Sequence, residues 1–118
     1  MVRFHQPFVY KRIEAFLINR GCKEIKFEER VLNCFPDGIG FASKGCYFVE
    51  YESRMLTKSV RTKMKKYTEI INKLNIKASK VIMILPMPKR AWGRKLYRET
   101  FEKKYPFLEL IWKEELKC

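Results

Sequence analysis

The sequence predicts an α/β protein, a mixed β-sheet flanked by helices in the order α-β-β-β-α-β-α-β. Three observations carry this. Hydrophobic spacing switches along the chain between strict alternation and steps of three and four, the periods of a half-buried strand and an amphipathic helix. Two strand-like segments meet at Ser43-Lys44-Gly45, a hairpin signal, and a long helix pattern then leads to a further strand, which requires a crossover. Lys80-Val-Ile-Met-Ile-Leu85 is a continuous apolar run stopped by Pro86 and Pro88, as suits a central strand covered on both faces.

The elements follow in order. Pro7 is placed to open a first helix, in which Val9, Ile13, Phe16 and Leu17 form the buried stripe and Gly21 follows the end near Arg20. Cys22 to Glu28 alternates apolar and polar residues as a strand. Val31 to Ala42 reads as a second strand, interrupted by Pro36-Asp37-Gly38, and Cys46 to Glu52 is the clearest strand in the chain. From Met55 to about Asn75, Leu56, Val60, Met64, Tyr67, Ile71 and Leu74 mark an amphipathic helix. Arg90 to Lys104 is a third helix, and Phe107 to Trp112 a last strand at the sheet edge. At 118 residues and 47% hydrophobic content the chain suits one domain over residues 1–118.

Several classes are disfavoured. No apolar run approaches the roughly 18–20 residues of a membrane span, and the first seven residues lack the apolar core of a secretory signal. The expected location is the cytoplasm. Cys22, Cys34, Cys46 and Cys118 lack zinc-ligand spacing, and His5 is the only histidine. Buried thiols are the expected state, with a Cys22–Cys34 or Cys34–Cys46 bridge as the alternative.

Charge is more informative. The net charge is +13, and all of the excess lies in residues 54–104, where 16 Lys and Arg face only Glu69, Glu99 and Glu102. On the second helix Arg54, Lys58, Arg61 and Lys65 form one ridge beside the apolar stripe. Arg90, Arg94 and Arg98 form another on the third helix. Like charges at helical spacing repel by a few tenths of a kcal/mol per pair, so a ridge without interspersed acids points to a polyanion, with DNA the expected partner. The alternatives are a solvated charged face and a membrane surface; the helices lack the wide apolar face of interfacial helices. Most aromatic residues, Tyr10 and Tyr51 among them, fall on apolar faces and are assigned to the core.

Acidic residues are few, and three of them converge. Glu50 and Glu52 share a strand face by period-2 geometry. A turn centred between residues 43 and 44 sets Asp37 opposite Glu50. Carboxylates so placed repel without a cation, and hard divalent ions take such oxygen ligands.

Pro36-Asp37, the hairpin, and Glu50-x-Glu52 after Phe48-Val49 resemble the PD-(D/E)xK nuclease superfamily over roughly residues 7–86. Glu14 matches the first-helix acid of its archaeal Holliday-junction resolvases. Tyr47-Phe-Val-Glu50 followed by Lys63-Met-Lys-Lys-Tyr67 is similar to the replication-relaxation proteins of mobile elements. The resemblance implies a restriction-endonuclease-like core and a metal-dependent DNA endonuclease, with junction or branched DNA as a candidate substrate. It implies Mg²⁺ or Mn²⁺ held by Glu14, Asp37 and Glu50, catalysis through Asp37, Glu50, Glu52 and Lys58, and a homodimer. The superfamily's usual lysine, two residues after the second acid, is Glu52 here, so Lys58 or Arg54 is expected to supply the positive charge. Arg54, Lys58, Arg61, Lys65, Arg90, Arg94 and Arg98 would hold the phosphate backbone. The alternative functions are a non-catalytic DNA-binding protein of a virus or plasmid on the same fold, and an RNA-binding or assembly module.

Overall fold

Pro7, which has no N–H to leave unpaired, begins the first helix, α1 (Pro7–Asn19). Gly21 ends it at φ 86°. Its N–H donates to the Ile18 carbonyl and that of Cys22 to the Leu17 carbonyl, each at 3.0 Å, a Schellman closure that turns the chain into the sheet. The computed structural model describes residues 6–32, 34–43, 45–52, 57–74, 79–86 and 91–116. After α1 come β1 (Glu24–Phe27), β2 (Gly38–Ala42), β3 (Gly45–Tyr51), α2 (Thr57–Leu74), β4 (Lys80–Leu85), α3 (Ala91–Lys104) and β5 (Leu108–Trp112), closed by a 3-10 turn at Lys113–Glu115.

The five strands form one mixed sheet in sequence order. β1, β2 and β3 are an antiparallel meander, whereas β4 and β5 run parallel to β3. Each parallel step needs a crossover, and α2 and α3 supply them. Strand alternation splits the interior into two cores. Phe48, Val81, Met83, Leu108 and Leu110 point to one face, where Val60, Met64, Tyr67 and Ile70 of α2 and Phe101 of α3 cover them. Val49, Tyr51, Ile82 and Ile84 point to the other, under Val9, Ile13 and Leu17 of α1. Residues Val81 to Leu85 of β4 are therefore buried on both sides, which accounts for the unbroken apolar run.

One expected strand is shorter than its sequence suggests. Of Val31 to Ala42, only Gly38–Ala42 joins the sheet, since Pro36 cannot donate to a ladder. Val31 and Cys34 pair only with each other, and the chain around them takes positive φ at Glu28 (54°) and Leu32 (53°). Cys22, Cys34 and Cys46 are buried free thiols, so neither proposed bridge forms; Cys118 and His5 lie outside the described residues. No described helix is long and apolar enough to cross a membrane.

Candidate functional site

The β2–β3 register pairs Gly38 with Val49. The ladder ends there and does not continue to the expected pairing of Asp37 with Glu50, but Asp37 lies near enough for its charge to act on Glu50. The Asp37 N–H donates to the Val49 carbonyl at 2.8 Å, and the Tyr51 N–H donates to Asp37 Oδ2 at 2.7 Å. Backbone and side chain together thus fix Asp37 to β3. Glu50 shares strand parity with Phe48, so its carboxylate belongs to the face covered by α2, and the charge of Asp37 acts on Glu50 and Tyr67 there.

Two residues of α2 meet Glu50 there. Tyr67 packs on the Phe48 ring, centroids 5.5 Å apart, and its hydroxyl donates to Glu50 Oε1 at 2.8 Å. Lys63, one turn earlier and hence on the same helix surface, places Nζ 3.4 Å from Glu50 Oε2. Lys63 also donates to Glu52 Oε1, so a single ammonium bridges two carboxylates. Glu50 is 5% exposed. Burial pushes its carboxyl up to about 7, with the negative charges of Asp37 and Glu52 adding to the rise and Lys63 and the Tyr67 hydroxyl opposing it. Burial also pushes the Tyr67 hydroxyl well up, and Glu50 adds to this, so Tyr67 is a proton donor. For Lys63 burial favours the neutral amine, but Glu50 and Glu52 outweigh it and its ammonium is held.

Other residues expected at the site lie elsewhere. Glu14 is on the exposed side of α1, lining a shallow depression with Pro7, Tyr10, Lys11 and Phe27. Its helix packs on the sheet face opposite to Glu50, so the grouping of Glu14 with Asp37 and Glu50 is corrected. The α1 residue tied to the sheet edge is Tyr10, whose hydroxyl donates to Glu28 at 2.5 Å. Among the described residues, no three His, Cys, Asp or Glu side chains stand where they could hold a metal together. Lys58 is exposed on the outer surface of α2, its carbonyl accepting from the Thr62 hydroxyl at 2.9 Å. The cation that reaches the acids is Lys63, five positions on. Arg54 lies outside the described residues.

The basic ridge of α2 is realised: Lys58, Arg61 and Lys65, with Lys66 beside them, are exposed. Among the described residues, no carboxylate pairs with any of the four. The α3 ridge differs. Arg98 donates to Glu115 at 2.5 Å and lies 5.2 Å from the Trp112 ring centroid, so its charge already has a carboxylate partner. Lys95 and Glu99, on the same helix, pair at 3.9 Å. Arg90 and the Arg94 side chain lie outside the described residues.

Sequence reasoning missed the roles of Lys63 and Tyr67, although both begin and end a segment already singled out, Lys63-Met-Lys-Lys-Tyr67. Tyr67 had been assigned wholly to the apolar stripe. A lysine four residues before a buried tyrosine, at the margin of that stripe, was the available signal. No family model, curated protein or solved structure matches the chain.

Proposed function

We propose that this chain is a metal-dependent endonuclease acting on DNA phosphodiesters, built on a restriction-endonuclease-like core. The observation that carries this is the charge of Asp37 acting on buried Glu50, with Lys63 from α2 against Glu50. The element order and the outward basic ridge of α2 support it further. A buried acid with a shifted proton affinity beside a designated cation is a common mark of a functional site.

The donor chemistry fits a hard divalent ion. Asp37 and Glu50 offer carboxylate oxygens, and the charge of each opposes ionisation of the other, a cost that a shared cation relieves. When bound, Mg²⁺ or Mn²⁺ would supply an activated water and neutralise phosphate charge. The chain's own groups do the positioning. The Tyr51 N–H fixes Asp37, and the Tyr67 hydroxyl fixes Glu50. Lys63 brings positive charge to the place where charge develops on the phosphate, and Lys58, Arg61 and Lys65 hold the backbone. Glu50 must lose its proton to act as a ligand, so metal affinity should rise with pH through about 7.

A second reading, a DNA-binding protein that does not cut, is favoured by a specific observation. Lys63 already bridges Glu50 and Glu52, and a resident ammonium is an internal substitute for a metal. Cleavage of supercoiled, linear, single-stranded and branched DNA, with Mg²⁺ or Mn²⁺ against chelator, separates the two. On the nuclease reading Asp37→Asn abolishes cutting and leaves binding unchanged or tighter, because less negative charge faces the phosphate. Absence of cutting on every substrate with both metals leaves the binding reading in its place.

A further inference from the structure

The connection between β1 and β2 holds two apolar side chains out in water. Leu32 is 42% and Phe35 57% exposed. Single exposed apolar residues are ordinary, and Phe8 and Ile18 on α1 and Leu96 on α3 are of that kind. Leu32 and Phe35 differ because the backbone is constrained in order to present them. Leu32 sits at φ 53°, a left-handed conformation that a leucine rarely adopts. Val31 and Cys34 close the turn with reciprocal backbone hydrogen bonds of 2.8 and 3.0 Å, and buried Cys34 anchors it to the core on the α2 face. Arg30 completes the arrangement. Its Nε donates to the Leu32 carbonyl at 2.8 Å, and its guanidinium carbon lies 5.9 Å from the Phe35 ring centroid. The outcome is a fixed apolar and cationic surface. Strain kept in place by such contacts is characteristic of functional segments.

Its location is as informative as its chemistry. Phe35 is two residues before Asp37, so their Cα atoms lie within about 7 Å of each other by chain geometry alone. Leu32 reaches α2, where it lines a depression of about 260 Å³ with Glu69, Ile70 and Lys73. The same helix carries the exposed Lys58, Arg61, Lys65 and Lys66. An exposed aromatic ring with a guanidinium beside it, two residues from Asp37 in a segment that reaches the cationic helix through Leu32, matches what a nucleobase offers when its phosphates bind nearby: a flat π-face joined to negative charge.

Resting on the nucleic-acid reading given above, we infer that Phe35, with the Arg30 guanidinium near its ring and Leu32 in the same turn, is a platform for an unpaired base of the DNA strand bound at Asp37 and Glu50. The substrate class is therefore single-stranded or locally unpaired DNA. A base within a continuous duplex keeps its faces against its neighbours and has none to give.

The test is equilibrium binding in chelator, where no cleavage is needed, of a fluorescein-labelled single strand and of the same sequence as a duplex. Phe35→Ala should weaken single-strand binding about tenfold, the usual loss when one stacking partner is removed. It should leave duplex affinity, the salt dependence of both and the melting temperature unchanged. Phe35→Trp should keep single-strand affinity. With 2-aminopurine in the strand, binding should change its emission for wild type and Phe35→Trp but not for Phe35→Ala. Equal losses on single strand and duplex, or no loss on either, would overturn the inference. A change in sedimentation of the free protein with Phe35→Ala, at unaltered DNA affinity, would make the patch a self-association surface and overturn it too. Absence of salt-sensitive binding by wild type to either probe would remove the nucleic-acid reading itself, a result distinct from loss of strand preference.

Discussion

Glu50 is ionisable, almost wholly enclosed, and faces more negative charge than positive: Asp37 and Glu52 against Lys63, with the Tyr67 hydroxyl as hydrogen-bond donor. Its carboxyl rises from 4.5 to about 7 in the fold, which makes it a source of pH-dependent stability whose sign follows directly. Below about 4.5 it is protonated in folded and unfolded chains alike. As pH rises, the unfolded chain releases its proton first, so folding loses stability until the folded group also ionises near 7; the loss is on the order of 3 kcal/mol. Glu50→Gln keeps an acceptor for Tyr67 and removes the titration. The melting temperature of this variant, measured against wild type, should therefore climb from pH 4.5 to 7 and level off above. A difference that stays flat across that window would show that Glu50 is ionised at no cost. How far these residues were legible depends on the distance a contact spans. That Asp37 comes near Glu50 follows from counting across one hairpin. The contacts of Lys63 and Tyr67 with Glu50 join a strand to a helix 13 and 17 residues on, and depend on the rotation with which α2 settles on the sheet. Glu14 was misplaced because the sheet face on which α1 packs is likewise a tertiary choice, and the pairing of Arg98 with Glu115 joins α3 to the chain after β5.

At the scale of elements, α1 lies close to β2 because β2 presents glycine to it. A methyl group on Gly38 would stand 2.8 Å from Ile13 Cγ2, and one on Gly40 would stand 2.6 Å from Cys22 Sγ and 2.9 Å from Leu17 Cδ2. Ile13 and Leu17 are fully buried and have nowhere to retreat. Gly40→Ala should then cost about 1–3 kcal/mol by overpacking. Gly93 is the contrast, since within α3 a methyl group there meets nothing within 4 Å. Gly93→Ala should stabilise by roughly 0.5–1 kcal/mol through helix propensity. Urea denaturation of both variants checks the pair, and stabilisation by Gly40→Ala would contradict the close approach of α1. The elements themselves were readable where one rule acted alone. The apolar run of β4, the heptad-like stripe of α2 and the Pro7 and Gly21 boundaries of α1 all fall where periodicity and end signals put them. The reading failed at Val31 to Phe35, whose apolar residues imitate a strand. Pro36 removes a ladder donor there and positive φ at Leu32 turns the chain aside, neither of which periodicity registers.

For the molecule as a whole the dominant quantity is charge. A net +13 on 118 residues opposes compaction, and all of that excess stands on one segment of the chain, residues 54–104. Folding concentrates it further. Lys63 is drawn to the carboxylates and Arg98 to Glu115, while Lys58, Arg61, Lys65 and Lys66 are left together on the outer surface of α2. Such a face costs self-repulsion in the free protein and gains when counterions leave a bound phosphate backbone. The two halves of that statement are measurable on one variant. Reversing charge at Arg61 and Lys65 together removes repulsion, so stability should hold or increase slightly. It should also remove about two phosphate contacts, making the slope of log affinity against log salt for duplex DNA shallower by about 2. Titration at several salt concentrations beside a thermal melt gives both values. Weaker binding with a lower melting temperature would mean damage to the fold, and says nothing of the face. Weaker binding with an equal or higher one requires that these side chains touch DNA. An unchanged slope would place the phosphate-binding surface somewhere other than α2, and the carboxylates above Lys63 would lose the neighbour that gives them a substrate.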